Sequence, residues 1–507
     1  MNSSDRSKLE NRNKGQGANS QSSKVDFKYK EDRGGASADN PAETAAIANH
    51  VARRRFEDIP GEDVAKAKLR VLDLVGCAIG GVNGEGNDAL VRSLDLAGSA
   101  PRASVIGFGA RLSSGDAALA NAVISRSYDF EVMTVVVDGA VIGSHNSPTT
   151  CMTALALADE HALSGRDFLA ALIIGDDIAA RTLAASGLDL GAGWDASSIF
   201  TAVPAAAIAA KLMRLDARQT RDAMGHAVDM ISGTTQSVWD GVQSWKLVGG
   251  LAAKNGIFAA QLASTGAWPA MGDALLAPYG FFGQFTTGCI NPSILTKGLG
   301  ETYYGEEYFK PYPSCAATQA IHECALDACG EKQFAPDEIE AISVRMPAFI
   351  LGTALALPFA PARDDHTRAN FSIRYQIASA VLRGPIKQEH YSESAIHSPD
   401  VAAMLQKIEL LPAAEESKEL EVTIRLNTGQ KNSAMHSGVP WRHPSRSPFT
   451  ANDVQDKFHQ QAAFTGRTPK TTAQEIVERI MALEEEKDMS AFAEFVARSA
   501  LPPQAAK

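Results

Sequence analysis

From about Pro41 onward the apolar residues of this chain recur every three to four positions, and the pattern persists for roughly 250 residues, which predicts a long succession of amphipathic helices. The stretch ETAAIANHVARR predicts one helix. Pro60-Gly61-Glu62-Asp63 opens the next over VAKAKLRVLDLVGCAIGG, with acids in its first turn and Gly80-Gly81 at its end. Ser164-Gly165-Arg166-Asp167 reads as a capping box, and behind it Phe168, Leu172, Gly175 and Ala179 fall on one face. Asp216 to Gln219 is a second box, followed by Ala223, Met224, Ala227, Val228 and Ile231 on one face. Small residues dominate these faces and permit close helix packing, so residues 42–308 are expected to form a large all-α domain.

Near Phe309 the pattern changes. After a helical stretch over Ala317–Cys329, Ile342, Val344 and Met346 alternate with polar neighbours. In LEVTIRL, Leu420, Val422, Ile424 and Leu426 alternate with Glu421, Thr423 and Arg425 before the turn Asn427-Thr428-Gly429. Strands mixed with helices such as 371–383 predict a smaller α+β lid domain over 309–445. The amphipathic helical pattern of 470–498 is expected to return to the first domain, which then comprises 42–308 and 446–500, with a cleft between the two units. Residues 1–41 are polar, rich in Gly, Ser and Asn, and lack periodicity, so a disordered tail is expected there.

Length agrees with two domains: 507 residues exceed what one core usually supports. The net charge of −11 argues against a nucleic-acid surface, and no apolar run approaches the roughly 20 residues a bilayer requires. Six scattered cysteines and a start without a signal-type apolar stretch favour reduced thiols and a cytoplasmic location. His322, Cys324 and Cys329 lie close together but lack metal-ligand spacing, and they read as packing residues of a helix. The phosphate-binding, nucleophile-elbow and zinc-helix signatures are missing too, so neither a cofactor nor a metal is expected.

What remains is a set of unusual segments: YDFE with Asp129, then SHNSP with His145, GWDASS at 193–198, WKLVGGLAAKNG with Lys246, and FKPYPSC with Lys310 and Cys315. With Leu72-Asp73 through Gly80-Gly81, SGRDFLAALIIGDDIAAR, NFSIRY at 370–375, and SGVPWRHP followed by DKF, they resemble the MmgE/PrpD family in the family's own order. That family contains 2-methylcitrate dehydratase, cis-aconitate decarboxylase and iminodisuccinate epimerase, and the resemblance covers about residues 43 to 497. It implies a helical domain plus an α+β lid, a homodimer, no cofactor, and a small polycarboxylate as substrate.

The resemblance further implies that Asp129, His145 and Lys246 approach the substrate from one cleft, with Thr134, Asp195, Lys310 and Cys315 as further substrate contacts. Such a set makes chemical sense: cations anchor the carboxylates, while an acid–base group moves a proton next to one of them. Dehydration or decarboxylation is the leading expectation, epimerisation of a dicarboxylate the second, and a silent carboxylate-binding homologue the third. The chain also departs from the family pattern. Asn146 follows the histidine where the family has proline, Asp195 replaces a histidine, Ala316 replaces an arginine, and an apolar insert, MTVVVDGAVIG, separates Asp129 from His145. These exchanges favour a dicarboxylate, or an acid bearing an amine or imine, over a citrate-like tricarboxylate.

Overall fold

Helical periodicity is realised over most of the first region of the structure, a computed structural model that describes residues 42–98, 100–359, 365–414, 417 and 419–502. The tail expected to be disordered, 1–41, lies outside the described residues. Ala42–Arg53, Gly61–Gly81, Ser114–Ser125, Ser147–Glu160, Gly165–Ala185, Ala202–Leu212, Ala217–Asp229 and Leu247–Ser264 are helices that share one core. Ser164 caps its helix by accepting from the Asp167 amide, and Asp216 and Gln219 form the reciprocal box that the sequence predicts.

Small residues let these helices approach closely. A Cβ on Gly81 would stand 2.1 Å from the Ile124 carbonyl oxygen, so only glycine lets Gly61–Gly81 cross Ser114–Ser125 here. Gly256 plays the same part between Leu247–Ser264 and Ala202–Leu212, where an added Cβ would meet Ala205 Cβ at 2.5 Å.

The first region is not purely helical. Strands β1 (Ala103–Ser104) and β2 (Arg111–Leu112) pair with each other, and β3 (Met133–Val137), β4 (Ala140–Ile142) and β5 (Glu306–Tyr308) form a sheet of order β4-β3-β5. The apolar insert is therefore a hairpin. Its turn is Asp138-Gly139, with φ of 49° and 81°, the pair of positive angles that matches the twist of two-residue hairpins.

The second core is built on an antiparallel and parallel mixed sheet of order β7-β6-β8-β9, from β6 (Ile339–Met346), β7 (Ile408–Pro412), β8 (Leu420–Leu426) and β9 (Lys431–His436). Helices Ala316–Cys329 and Ile373–Arg383 pack with it, and Ile342, Val344, Val422 and Ile424 point into that core. Cys77, Tyr128 and Phe130 of the first region reach into the same core. The chain then returns: Ala451–Phe464, Lys470–Met481 and Met489–Ser499 place Phe458, Ile480 and Phe492 in the helical core. The pattern over 470–498 is thus two helices, separated where Asp488 caps the second. Among the described residues no helix is long and apolar enough to cross a membrane.

Candidate active site

Tyr128–Val132 lies between the end of Ser114–Ser125 and β3, and side chains from four distant segments fix its backbone. Asn370 Nδ2 donates to the Tyr128 carbonyl at 2.9 Å, Lys310 Nζ to the Asp129 carbonyl at 2.6 Å and Lys457 Nζ to the Phe130 carbonyl at 2.6 Å. Asp73 Oδ2 accepts from the Val132 amide at 2.7 Å. Held this way, Asp129 keeps a left-handed backbone with φ of 47°, a region that asparagine and aspartate enter more readily than most residues. Thr134 shares the feature at φ 67°, which is costly for a β-branched residue and gathers local strain beside the acids.

The acids sit in a charge-balanced cluster. Lys310 Nζ pairs with Asp129 Oδ1 at 2.8 Å, and Arg126 lies 3.7 Å from the same oxygen while donating to Glu131 Oε1 at 3.1 Å. Arg126 also donates to Ser197 Oγ at 2.9 Å and lies 4.8 Å from the centroid of the Trp245 ring. Burial alone would raise the Glu131 pKa, but Lys310, Arg126 and His145 outweigh it and hold this carboxyl below the ordinary range. Burial alone would likewise lower Lys310, and Asp129 and Glu131 raise it instead. Glu131 is therefore ionised beside two charged cations, Lys310 and Arg126.

His145 completes the group. Its Nδ1 is 2.9 Å from Glu131 Oε1 and 3.9 Å from Asp129 Oδ1. An ionised Glu131 can only accept, so Nδ1 carries a proton, and in the neutral ring Nε2 is the nitrogen whose lone pair is open to a reactant. The side chain is 24% exposed, whereas those of Asp129, Glu131, Arg126 and Lys310 are at most 5% exposed. Glu306 positions this histidine's segment from β5, accepting from Ser144 Oγ at 2.6 Å and from the amides of Asn146 and Ser147 at 2.6 and 2.9 Å. Burial raises the Glu306 pKa.

The remaining predicted residues scatter around this centre. Asp195 caps the short helix Ala196–Ile199 through the Ser197 amide at 2.9 Å, and Ser197 links it by hydrogen bond to Arg126. Cys315 precedes the helix Ala316–Cys329, with its thiol pushed up to about 12 by burial and then by Asp129. Lys246 departs furthest from expectation. Its amine donates to the Glu85 carbonyl at 2.8 Å and to Asn87 Oδ1 at 3.2 Å, with no described bond to Asp129 or His145. Asn87 in turn donates to Ser127 Oγ at 2.8 Å, so Lys246 reaches the cluster's supporting turn only through Asn87. Burial lowers its pKa to about 8.

Sequence reasoning assigned no role to Arg126, Glu306, Asp73 or Lys457, and left Glu131 as a bare neighbour of Asp129. Arg126 stands two residues before Tyr128 of the YDFE segment, and a cation adjoining two acids in an apolar setting was the available signal. Ligand atoms of Asp129, Glu131 and His145 lie within 4.8 Å of one another, a spacing metal ligands share. Two carboxylates already balanced by Lys310 and Arg126 leave no net negative charge for a divalent ion, so the donor set fits proton transfer better than a metal.

Fold and cluster define a helical protein with an α+β second part and a buried acid–histidine centre fixed by both. Residues 45–291 match the MmgE/PrpD N-terminal domain and residues 312–483 the MmgE/PrpD C-terminal domain, so the chain belongs to the MmgE/PrpD family. A cis-aconitate decarboxylase-like protein, oryM, of Aspergillus oryzae is 23% identical over 478 residues, 88% of this chain and 95% of that protein. A cis-aconitate decarboxylase of Aspergillus terreus is 26% identical over 324 residues, 62% of this chain and 63% of that protein.

Proposed function

We propose that this protein is a lyase acting on a small di- or tricarboxylate, by dehydration or decarboxylation, with His145 as the proton-transfer residue and Glu131 as its positioning partner. The observation that carries the reading is the 2.9 Å contact between His145 Nδ1 and a buried, cation-held Glu131, which reserves Nε2 for the reactant. In dehydration Nε2 removes the proton next to a substrate carboxylate, the C–O bond breaks, and the imidazolium returns that proton to the departing hydroxyl. In decarboxylation an imidazolium protonates the carbon from which CO2 leaves. Either way the protonated ring gives the cluster one net positive charge, against which the negative charge building on the substrate is stabilised. Lys246 serves through Asn87 and Ser127, which anchor the turn that carries Asp129.

Membership of the family and the names of the two relatives support the lyase class. The test is to incubate the purified protein with cis-aconitate, citrate and a panel of other small hydroxy- and unsaturated carboxylates in D2O and to follow them by proton NMR. A new alkene signal or loss of CO2, absent with His145→Gln, is expected. Solvent exchange without a new product would replace the lyase reading by an epimerase. No turnover across the panel, or an unaffected His145→Gln variant, would overturn the assignment.

A further inference from the structure

A cavity of about 890 Å³ opens where the ends of three helices meet, and it shares no lining residue with the acid–histidine cluster. Six basic side chains line it, Arg53, Arg54, Arg55, Arg166, Lys211 and Arg214, against the acids Glu57 and Asp167. In a chain with a net charge of −11, that excess is not a by-product of composition.

Some of these cations are explained by the fold. Lys211 donates to the carbonyls of Val51 and Arg54 at 3.0 and 2.5 Å and so caps the end of helix Ala42–Arg53, where carbonyl groups lack partners. Arg54 donates to Tyr303 and to the Gly300 carbonyl, and Arg166 pairs with Glu57 at 3.0 Å. Arg53, Arg55 and Arg214 are different: all three are exposed, and their guanidinium groups make no ion pair or hydrogen bond among the described contacts. Arg214 moreover adopts φ of 57° just past helix Ala202–Leu212, a position that ordinarily favours glycine or asparagine. Beneath the arginines, Leu163, Leu212, Leu215 and Ala170 give the cavity an apolar floor.

We propose that this cavity binds a small polyphosphate that carries an apolar or aromatic body, as a nucleoside triphosphate does. Arginine forks match phosphate oxygens in pairs, and three uncommitted guanidinium groups offset most of the roughly four negative charges of a triphosphate, whereas a simple carboxylate would leave two unmatched. The volume falls in the range of small-ligand pockets, and the basic residues ring one concavity rather than forming the stripe that tracks a nucleic-acid backbone. The floor supplies the surface for the body of the ligand.

Isothermal titration of the full chain with ATP and with inorganic triphosphate, at low salt and again at high salt, tests this. Both are expected to bind one saturable site, more weakly at high salt, with ATP several-fold tighter. The double variant Arg53→Ala/Arg214→Ala should weaken both by about tenfold or more, while Arg92→Ala, an exposed arginine on another helix, should leave both unchanged. Absence of binding at low salt, or equal losses in the double variant and in Arg92→Ala, would overturn the site. Equal affinity for ATP and triphosphate would overturn the role of the apolar floor. A poly-glutamate peptide that displaces ATP at lower concentration than triphosphate does would replace the metabolite by an acidic protein partner.

Discussion

Replacing Lys457 by methionine removes one charge from beneath the site while keeping most of the side chain's apolar length. Lys457 Nζ is 2.7 Å from Asp73 Oδ1, with side chains 4% and 0% exposed, and it also supports the Phe130 carbonyl and lies 4.1 Å from the Phe130 ring centroid. Breaking a buried pair by removing one partner costs about 3–5 kcal/mol, and that figure already contains the lost hydrogen bond to Phe130. Against a net stability of about 5–15 kcal/mol for a typical protein, the loss is large.

The sign of the pH dependence follows from Asp73. Burial raises its folded pKa even with Lys457 beside it, and removing the lysine raises it further. A raised folded pKa means that the acid's stabilising contribution is complete below the unfolded value of about 3.9 and is lost as pH rises through the folded value. The variant should therefore be most impaired near neutral pH and recover part of its deficit toward acid. Urea unfolding followed by circular dichroism, at about pH 7.5 and about pH 5, measures both. Asp73→Asn/Lys457→Met should be more stable than Lys457→Met alone at neutral pH, because the uncompensated charge is gone. A loss below about 1 kcal/mol, or a double variant no better than the single, would refute the view that this pair is a buried prop of the Tyr128–Val132 segment.

Four further outcomes are expected. His145→Gln should lower turnover by about 10²–10⁴-fold in steady-state assays with little change in melting temperature, and Glu131→Gln should lower turnover while also destabilising the fold, because it leaves Arg126 underpaired. For Lys246, burial sets the folded pKa at about 8, below the ordinary value of about 10.4, so unfolding takes up a proton between these limits and stability rises with pH there. Lys246→Met should abolish that rise, worth up to about 3 kcal/mol, in chemical denaturation across the same window. Gly81→Ala should lower the melting temperature clearly, its Cβ meeting the Ile124 carbonyl oxygen at 2.1 Å, whereas Gly61→Ala, with no atom within 4 Å of its Cβ, should not.

Most of the fold was legible because its signals are local. Helix periodicity with caps at Ser164 and Asp216, and strict alternation over Leu420–Leu426, each depend on a dozen residues or fewer, and all are realised. The hairpin β3–β4 was missed although Asp138-Gly139 is a strong hairpin turn, because a continuous apolar run has no alternation to distinguish strand from buried loop. Likewise 470–498 looks like one helix until Asp488 is recognised as a cap for the second.

The site was legible in outline and illegible in its wiring, for a physical reason. The family pattern put Asp129 and His145 forward as candidates, but whether a histidine bonds the first or the second of two neighbouring acids depends on distances of about an ångström, here 3.9 Å to Asp129 against 2.9 Å to Glu131. Lys246 illustrates the same limit from the other side, since its direction is set by Asn87, which no motif marks. Conversely, the segments that carry the family resemblance look unrelated in one dimension: Leu72-Asp73, FKPYPSC, NFSIRY and DKF. Asp73, Lys310, Asn370 and Lys457 from these four segments bond Val132, Asp129, Tyr128 and Phe130 across sequence separations of 59, 181, 242 and 327 residues. Their common function is to hold one irregular stretch of backbone whose polar groups have no helix or sheet to satisfy them. A buried segment of that kind needs side-chain partners from elsewhere, and each partner fixes the place of the segment that bears it. A substitution at Asp73, Asn370 or Lys457 therefore reaches Asp129 and Glu131 without touching their side chains, whereas one at Lys310 also removes the ion pair to Asp129.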